Sequence, residues 1–325
     1  MIKRFLNWFI IWFECARGYS IILTVLALSV AFTCGLKAGG NIWLGILCAI
    51  GIELGHIATN LIDDYFDYKI ISSDKNFTNT FQKGKCRLLF NGTISLRALE
   101  RAIIIVCAVA FLIGVLIFLS NRPHVVWLMA IGGAAVLFYQ KFSLVGLSEL
   151  AVGIVYGPLL FEGTYYVMTG DFSWEVFFIS LVNVMFSEQF LYTHTLLDFD
   201  GDMISHKKTL VCRIGDKTKA LKILSVFFIT GYLTLAGLAF YNKNPLFLLG
   251  FLTLPHVLWL FREVNAFNKD KTKIPVINKL NFPLDNWEQI QKDGTQSFFY
   301  RLLLSRNIMV YMSVIQIVII LCLNF

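Results

Sequence analysis

The sequence predicts an all-α fold, a polytopic membrane helical bundle of about nine transmembrane helices around a central cavity, forming one domain over residues 1–325. Three observations carry that reading. Hydrophobic residues make up 57% of the 325 positions and charged residues only 15%, whereas soluble domains carry roughly 25% charged residues. The apolar residues gather into runs of about the 20 residues that a bilayer crossing needs. Lys and Arg collect in the segments on one side of those runs.

Taken in order, residues 1–17 begin with Lys3 and Arg4 and place Phe5, Trp8, Phe9 and Trp12 at helical spacing, which suits a helix lying in the membrane interface. This stretch is short and aromatic and lacks a small-residue cleavage site, so no removable signal peptide is expected. The first four apolar runs cover roughly 18–38, 42–62, 102–120 and 124–140. The fifth, 144–168, is interrupted by Glu149, Gly157, Pro158 and Glu162. The remaining four cover 174–197, 219–241, 245–262 and 307–324. Long polar interruptions fall at 63–101, 198–218 and 263–306. The last of these, with Lys269, Lys271, Lys273, Lys279 and Asn281-Phe-Pro-Leu-Asp-Asn286, has no core pattern and is expected to be a cytoplasmic loop with room for a short helix.

The net charge of +7 could suggest nucleic acid, but the basic residues lie between apolar runs, where membrane topology requires them. Placing the N-terminus, 63–101, 141–143, 198–218 and 263–306 on one side, and counting the residues at the adjoining span ends, collects every basic residue of the 28 except Lys37, Arg122 and Lys243. By the positive-inside rule that side is cytoplasmic, so a multi-pass protein of the cell membrane is expected. The seven cysteines form no C-x-x-C pair, which indicates neither a zinc site nor a disulfide framework.

Two acidic clusters stand at span ends on the cytoplasmic side. Asn60, Asp63, Asp64 and Asp67 follow the second run at i, i+3, i+4 and i+7, one face of a continuing helix. Asp198, Asp200 and Asp202 follow the sixth, with Asp198 and Asp202 at i and i+4. Carboxylates packed this closely repel one another unless cations offset them. Mg²⁺ is typically held by one or two carboxylates plus substrate phosphates. Basic residues follow each cluster, Lys69 and Arg87 after the first and Lys207, Lys208 and Arg213 after the second, so acid, metal and base together could grip a diphosphate. Within the spans, His56 reads as a hydrogen-bonded packing residue. Glu162 and Glu188 read as either cavity-lining or structural, and ionisable groups such as Glu53 at membrane depth face a cavity or a partner.

The chain resembles the UbiA-type intramembrane prenyltransferases, whose N/D-D-x-x-D and D-x-x-x-D motifs are matched by Asp63-Asp-Tyr-Phe-Asp67 and Asp198-Phe-Asp-Gly-Asp202. Within that family it is most similar to the 1,4-dihydroxy-2-naphthoate polyprenyltransferases of menaquinone synthesis, through Asn60-Leu-Ile-Asp-Asp-Tyr-Phe-Asp-Tyr68, Arg87-Leu-Leu-Phe-Asn-Gly-Thr-Ile-Ser95, Gly157-Pro-Leu-Leu-Phe-Glu-Gly-Thr-Tyr-Tyr166 and Lys207-Lys-Thr-Leu-Val-Cys-Arg-Ile-Gly215. It departs from the pattern in three places. Asp63 stands for a usual Asn, His206 for a usual Gly, and His194-Thr-Leu-Leu197 for Asn-Asn-x-Arg. The missing Arg bears on the aromatic acceptor more than on the diphosphate.

The resemblance implies Mg²⁺-dependent transfer of a polyprenyl group from its diphosphate to an aromatic acceptor. Asp63, Asp64, Asp67, Asp198 and Asp202 would hold the metal, with Asp64, Asp67, Asp198 and Asp202 catalytic. Asn60, Lys69, Arg87, Lys207, Lys208 and Arg213 would bind substrate. Other acceptors (4-hydroxybenzoate, haem, a chlorophyll precursor or a glyceryl phosphate lipid) are alternatives, as is a transporter with a carboxylate ion site, although transporters place such groups nearer the bilayer midplane. A CDP-alcohol phosphotransferase would need D-G-x-x-A-R, which does not follow Asp200-Gly201.

Overall fold

The computed structural model describes residues 2–73, 86–144, 146–204 and 208–323, and among these every regular element is helical. The order is α1 (Ile2–Cys15), α2 (Ile21–Lys37), α3 (Ile42–Ser73), α4 (Arg87–Phe90), α5 (Leu96–Leu119), α6 (Val125–Leu144) and α7 (Ser148–Ile154), followed by α8 (Leu160–Thr169), α9 (Trp174–Leu197), α10 (Phe199–Ile204), α11 (Leu210–Ile214), α12 (Lys217–Tyr241), α13 (Leu254–Lys269), α14 (Trp287–Lys292) and α15 (Gln296–Cys322). A π-turn over Val155–Leu159 joins α7 to α8, and a 3₁₀ stretch over Pro245–Thr253 leads into α13.

Helix boundaries follow local chemistry. Ser95, Ser173 and Asp216 accept backbone N–H bonds at the starts of α5, α9 and α12. Gly170 and Gly215, both at positive φ, end α8 and α11.

Each predicted apolar run coincides with a helical segment. Seven of these are long and apolar enough to cross a membrane, over 42–73, 96–119, 149–169, 174–197, 217–241, 245–269 and 296–322, while Ile21–Lys37 and Val125–Tyr139 are apolar but shorter. The last helix begins at Gln296, not 307, because Arg301 and Arg306 belong inside it. Arg301 is fully buried: its Nε donates to the Glu263 carbonyl at 2.7 Å and its Nη2 pairs with the Glu263 carboxylate at 3.2 Å. A run-length reading ends where charge begins and cannot see that this charge is satisfied internally.

The centre of the bundle is α9, packed against α12, α15 and the α7–π-turn–α8 segment. Polar side chains tie it to α15. Asn183 Nδ2 donates to Gln316 Oε1 at 3.2 Å, and Ser305 Oγ donates to Gln189 Oε1 at 3.0 Å. Such bonds hold helices together where lipid tails offer no competing hydrophobic drive. Away from this centre, Trp43, Ile104, Leu119, Trp127, Leu233 and Phe240 are exposed on the outer faces, as a surface bathed by lipid requires. Helix α1 exposes Leu6, Trp8 and Phe9, while its last residue Cys15 and the following Ala16 are buried against Leu61, Leu89 and Leu99.

Candidate active site

Helix α3 runs unbroken through the first acidic cluster and places Asn60, Asp63, Asp64 and Asp67 along one face. Asn60 Nδ2 donates to the Ala16 carbonyl at 2.9 Å and to Ser20 Oγ at 3.1 Å, anchoring the turn between α1 and α2 on α3. That turn holds Arg17 in the left-handed region, at φ 52°. From there its Nη1 reaches Asp63 Oδ2 at 2.8 Å while its Nη2 pairs with Asp64 Oδ1. One guanidinium thus offsets two adjacent carboxylates, the second of them buried.

Deeper along the same seam, His56 meets Ser20 Oγ through Nε2 at 3.1 Å and Thr24 Oγ1 through Nδ1. Thr24 Oγ1 donates in turn to the Tyr156 hydroxyl at 3.3 Å, and the His56 and Tyr156 rings meet edge-on at 5.8 Å. His56 is therefore the hydrogen-bonded packing residue its sequence context suggested. Tyr156 sits in the π-turn, whose Gly157 departs from helical geometry (φ −95°, ψ −111°) beside Pro158. Gly157 also lets this turn approach α9 closely, since a Cβ there would lie 3.1 Å from Val184 Cβ. Such turns recur at functional sites.

The second cluster begins where α9 ends. The Asp202 backbone N–H donates to the Asp198 carbonyl at 2.9 Å, one turn on, and Asp202 is buried. His194 Nε2 lies 3.6 Å from Asp198 Oδ2. Asp200 differs: its Oδ2 meets Lys217 Nζ at 2.7 Å and Lys271 Nζ at 2.6 Å, and these two ammonium groups hold its carboxyl below the usual range.

The expected phosphate contacts do not all gather here. Arg87 pairs with Glu14 of α1, Lys69 lies over the Tyr65 ring at 4.4 Å and donates to its hydroxyl, and Arg213 packs over Gly146 in the α6–α7 turn. Lys208 is exposed, and Lys207 lies outside the described residues, as does His206. Among the described residues no three His, Cys, Asp or Glu side chains converge as a ready metal cage. The carboxylates lie in two separate clusters, one towards the C-terminal end of α3 and one at the α9–α10 junction. Arg17 was not singled out by sequence reasoning; its signal was a lone basic residue at the entry to the first span.

Residues 20–281 match the model of the UbiA prenyltransferase family. The chain belongs to that family. It is therefore a prenyltransferase and a multi-pass membrane protein. It is similar to the 1,4-dihydroxy-2-naphthoate octaprenyltransferases of Haemophilus influenzae (23% identical, covering 63% of this chain and 69% of the relative) and Mycobacterium tuberculosis (24%, covering 76% and 83%). The fold is shared with a digeranylgeranylglyceryl phosphate synthase (14% identical, TM-score 0.60, covering 96% and 98%). It is also shared with a UbiA homolog from Archaeoglobus fulgidus bound to GPP and Mg²⁺ (13%, TM-score 0.59, covering 95% and 99%).

Proposed function

We propose that this prenyltransferase moves a polyprenyl group from its diphosphate to an aromatic acceptor, 1,4-dihydroxy-2-naphthoate, with Mg²⁺ as cofactor and its acidic half-sites facing the cytoplasm. The observation that carries the reading is the pair of acidic half-sites at the ends of α3 and α9, in a chain whose named relatives prenylate naphthoates.

The residues fit a divalent cation. Asp63 and Asp64 already hold a cation, the Arg17 guanidinium, in a half-buried position. Oxygen-only donors suit Mg²⁺, which keeps open positions for phosphate oxygens. Asp64 and Asp67 would hold it on one side, with Asp63 and Asn60 assisting, and Asp198 and Asp202 on the other. Asn60 could offer only its Oδ1, because its amide nitrogen is spent on Ala16 and Ser20. When bound, the metal supplies positive charge that neutralises the departing diphosphate.

The protein's own residues do the rest. The two half-sites fix the diphosphate between α3 and α9, so the allylic carbon is directed into the bundle. Tyr156, Tyr139 and the apolar faces of α2 and α9 keep water from the carbon as the C–O bond breaks. The electrons of that bond leave with diphosphate, the aromatic ring supplies the pair that forms the new C–C bond, and the ring regains aromaticity by releasing its carboxyl as CO₂, or a proton where the attacked carbon carries hydrogen.

The test is a vesicle assay with labelled polyprenyl diphosphate, offering 1,4-dihydroxy-2-naphthoate and 4-hydroxybenzoate separately. A prenylated naphthoquinol supports the reading. Product only from the benzoate moves the acceptor and points to His194-Thr-Leu-Leu197 as the reason.

A further inference from the structure

Beneath the two aspartate clusters lies a second, deeper acidic pair that the diphosphate site does not use. Glu53 precedes Asp63 by ten residues on α3, and Glu188 precedes Asp198 by ten along α9. At 1.5 Å of rise per residue each glutamate sits about 15 Å inward of its aspartate, roughly half the hydrocarbon thickness. Glu188 is only 3% exposed. Both carboxylate oxygens of each glutamate are buried without a hydrogen-bond partner among the described residues. Leaving polar atoms in this state costs free energy unless something donates to them.

Among the described residues no neighbouring donor reaches them. His56 spends both ring nitrogens on Ser20 and Thr24, and Arg17 is turned to Asp63 and Asp64. Another acid, Glu149, lies within electrostatic reach of Glu188, and Gly153 of α7 leaves space beside it, where a Cβ would stand 3.6 Å from Oε1. Tyr139 and Tyr156 lie within electrostatic reach of Glu188, and Tyr156 also of Glu53, so phenol rings border the acids.

We infer that Glu53 and Glu188 form the acceptor end of the site and receive the ring hydroxyls of a dihydroxyarene, which is recognised by its hydroxyl hydrogens and not by a carboxylate. The inference rests on the prenyl-transfer reading above. The α9 end supports it from the other direction, because His194-Thr-Leu-Leu197 supplies no arginine for an acceptor carboxylate. A site built to bond a substrate hydroxyl rejects the analogue lacking it, because its own polar groups are then left unpaired.

The experiment measures kcat/KM with three acceptors: 1,4-dihydroxy-2-naphthoate, its mono-O-methyl ether, and 1,4-dihydroxynaphthalene. The wild-type protein is compared with Glu188→Leu and Glu53→Gln, and Mg²⁺-dependent binding of the prenyl diphosphate serves as the folding control. The wild type should disfavour the methyl ether by about ten- to a hundredfold, the range for leaving a buried hydrogen-bonding group without its partner. It should accept the decarboxylated arene within a few-fold. In Glu188→Leu the discrimination against the ether should fall towards unity while prenyl diphosphate binding persists. Glu53→Gln, which preserves shape, should show a smaller loss of discrimination. Undiminished discrimination in both variants overturns the inference, and so does strong rejection of the decarboxylated arene by the wild type. Wild-type protein that binds prenyl diphosphate yet prenylates no arene would overturn the parent reading as well, and is recognisable because no variant is needed to see it.

Discussion

Arg17 gives the sharpest handle on the acidic site. Its guanidinium bridges Asp63 and Asp64 with side-chain exposures of 20%, 15% and 7%, so the triad is mostly shielded from water. Removing one partner of a fully buried pair costs about 3–5 kcal/mol, and surface pairs are worth about 0–1 kcal/mol, so Arg17→Ala should cost about 2–3 kcal/mol without divalent metal. In a thermal melt in detergent with chelator, that is a fall of several degrees. The same change should help Mg²⁺, because the metal no longer has to displace a resident cation. At 1.4 kcal/mol per decade, the Mg²⁺ concentration for half-maximal stabilisation should fall roughly thirty- to a hundredfold. The assay is a Mg²⁺ titration of the melting temperature for wild type and variant, with no prenyl substrate present. An unchanged titration midpoint would refute the idea that Arg17 and metal compete for Asp63 and Asp64, even if the variant were less stable.

Four further outcomes follow from the geometry. Asp64→Asn and Asp198→Asn should each lower turnover by at least about a thousandfold while leaving the melt within a few degrees, since each removes a ligand of the cation that would neutralise the leaving group; retained activity would remove that aspartate from the site. Asp200→Asn should keep turnover within a few-fold, because Asp200 is committed to Lys217 and Lys271, and a loss matching Asp198→Asn would show that assignment to be mistaken. With its carboxyl held below the ordinary range, Asp200 stabilises the protein above about pH 4, and that contribution disappears as pH falls through the lowered value. Asp200→Asn should therefore flatten the acid limb of stability against pH, which a series of melts would show. Gly157→Ala should destabilise by about 1–3 kcal/mol through the 3.1 Å approach to Val184, and a neutral melt would mean that α9 and the π-turn can separate freely.

What was legible in the sequence was whatever depends on local period. The four-residue face from Asn60 to Asp67 and the Asp198–Asp202 step needed only a continuing helix, and α3 and the α9–α10 junction provide it. The apolar runs found their helices for the same reason, and the break at Gly157-Pro158 was visible as a conflict within an apolar run. What could not be read depends on closure between distant segments. Arg17 reaches Asp63 and Asp64 only because the α1–α2 turn folds back on α3, and Asp200 finds Lys271 only after α13 returns to the same end of the bundle. Arg87 looked like a phosphate ligand by its position after the first cluster, yet Glu14 holds it in this structure. Buried Arg301 misplaced the start of the last helix by the same logic, since a charge neutralised by Glu263 looks like a loop until its partner is known.

The central claim is that the α3 and α9 clusters act as two halves of one diphosphate site. The direct measurement is equilibrium binding of an unreactive polyprenyl thiolodiphosphate to the purified protein, with Mg²⁺ and with chelator, for wild type, Asp64→Asn and Asp198→Asn. Tight binding that needs Mg²⁺ and is lost in either variant is the predicted result. Binding that persists in chelator, or that survives loss of one cluster undiminished, would contradict it.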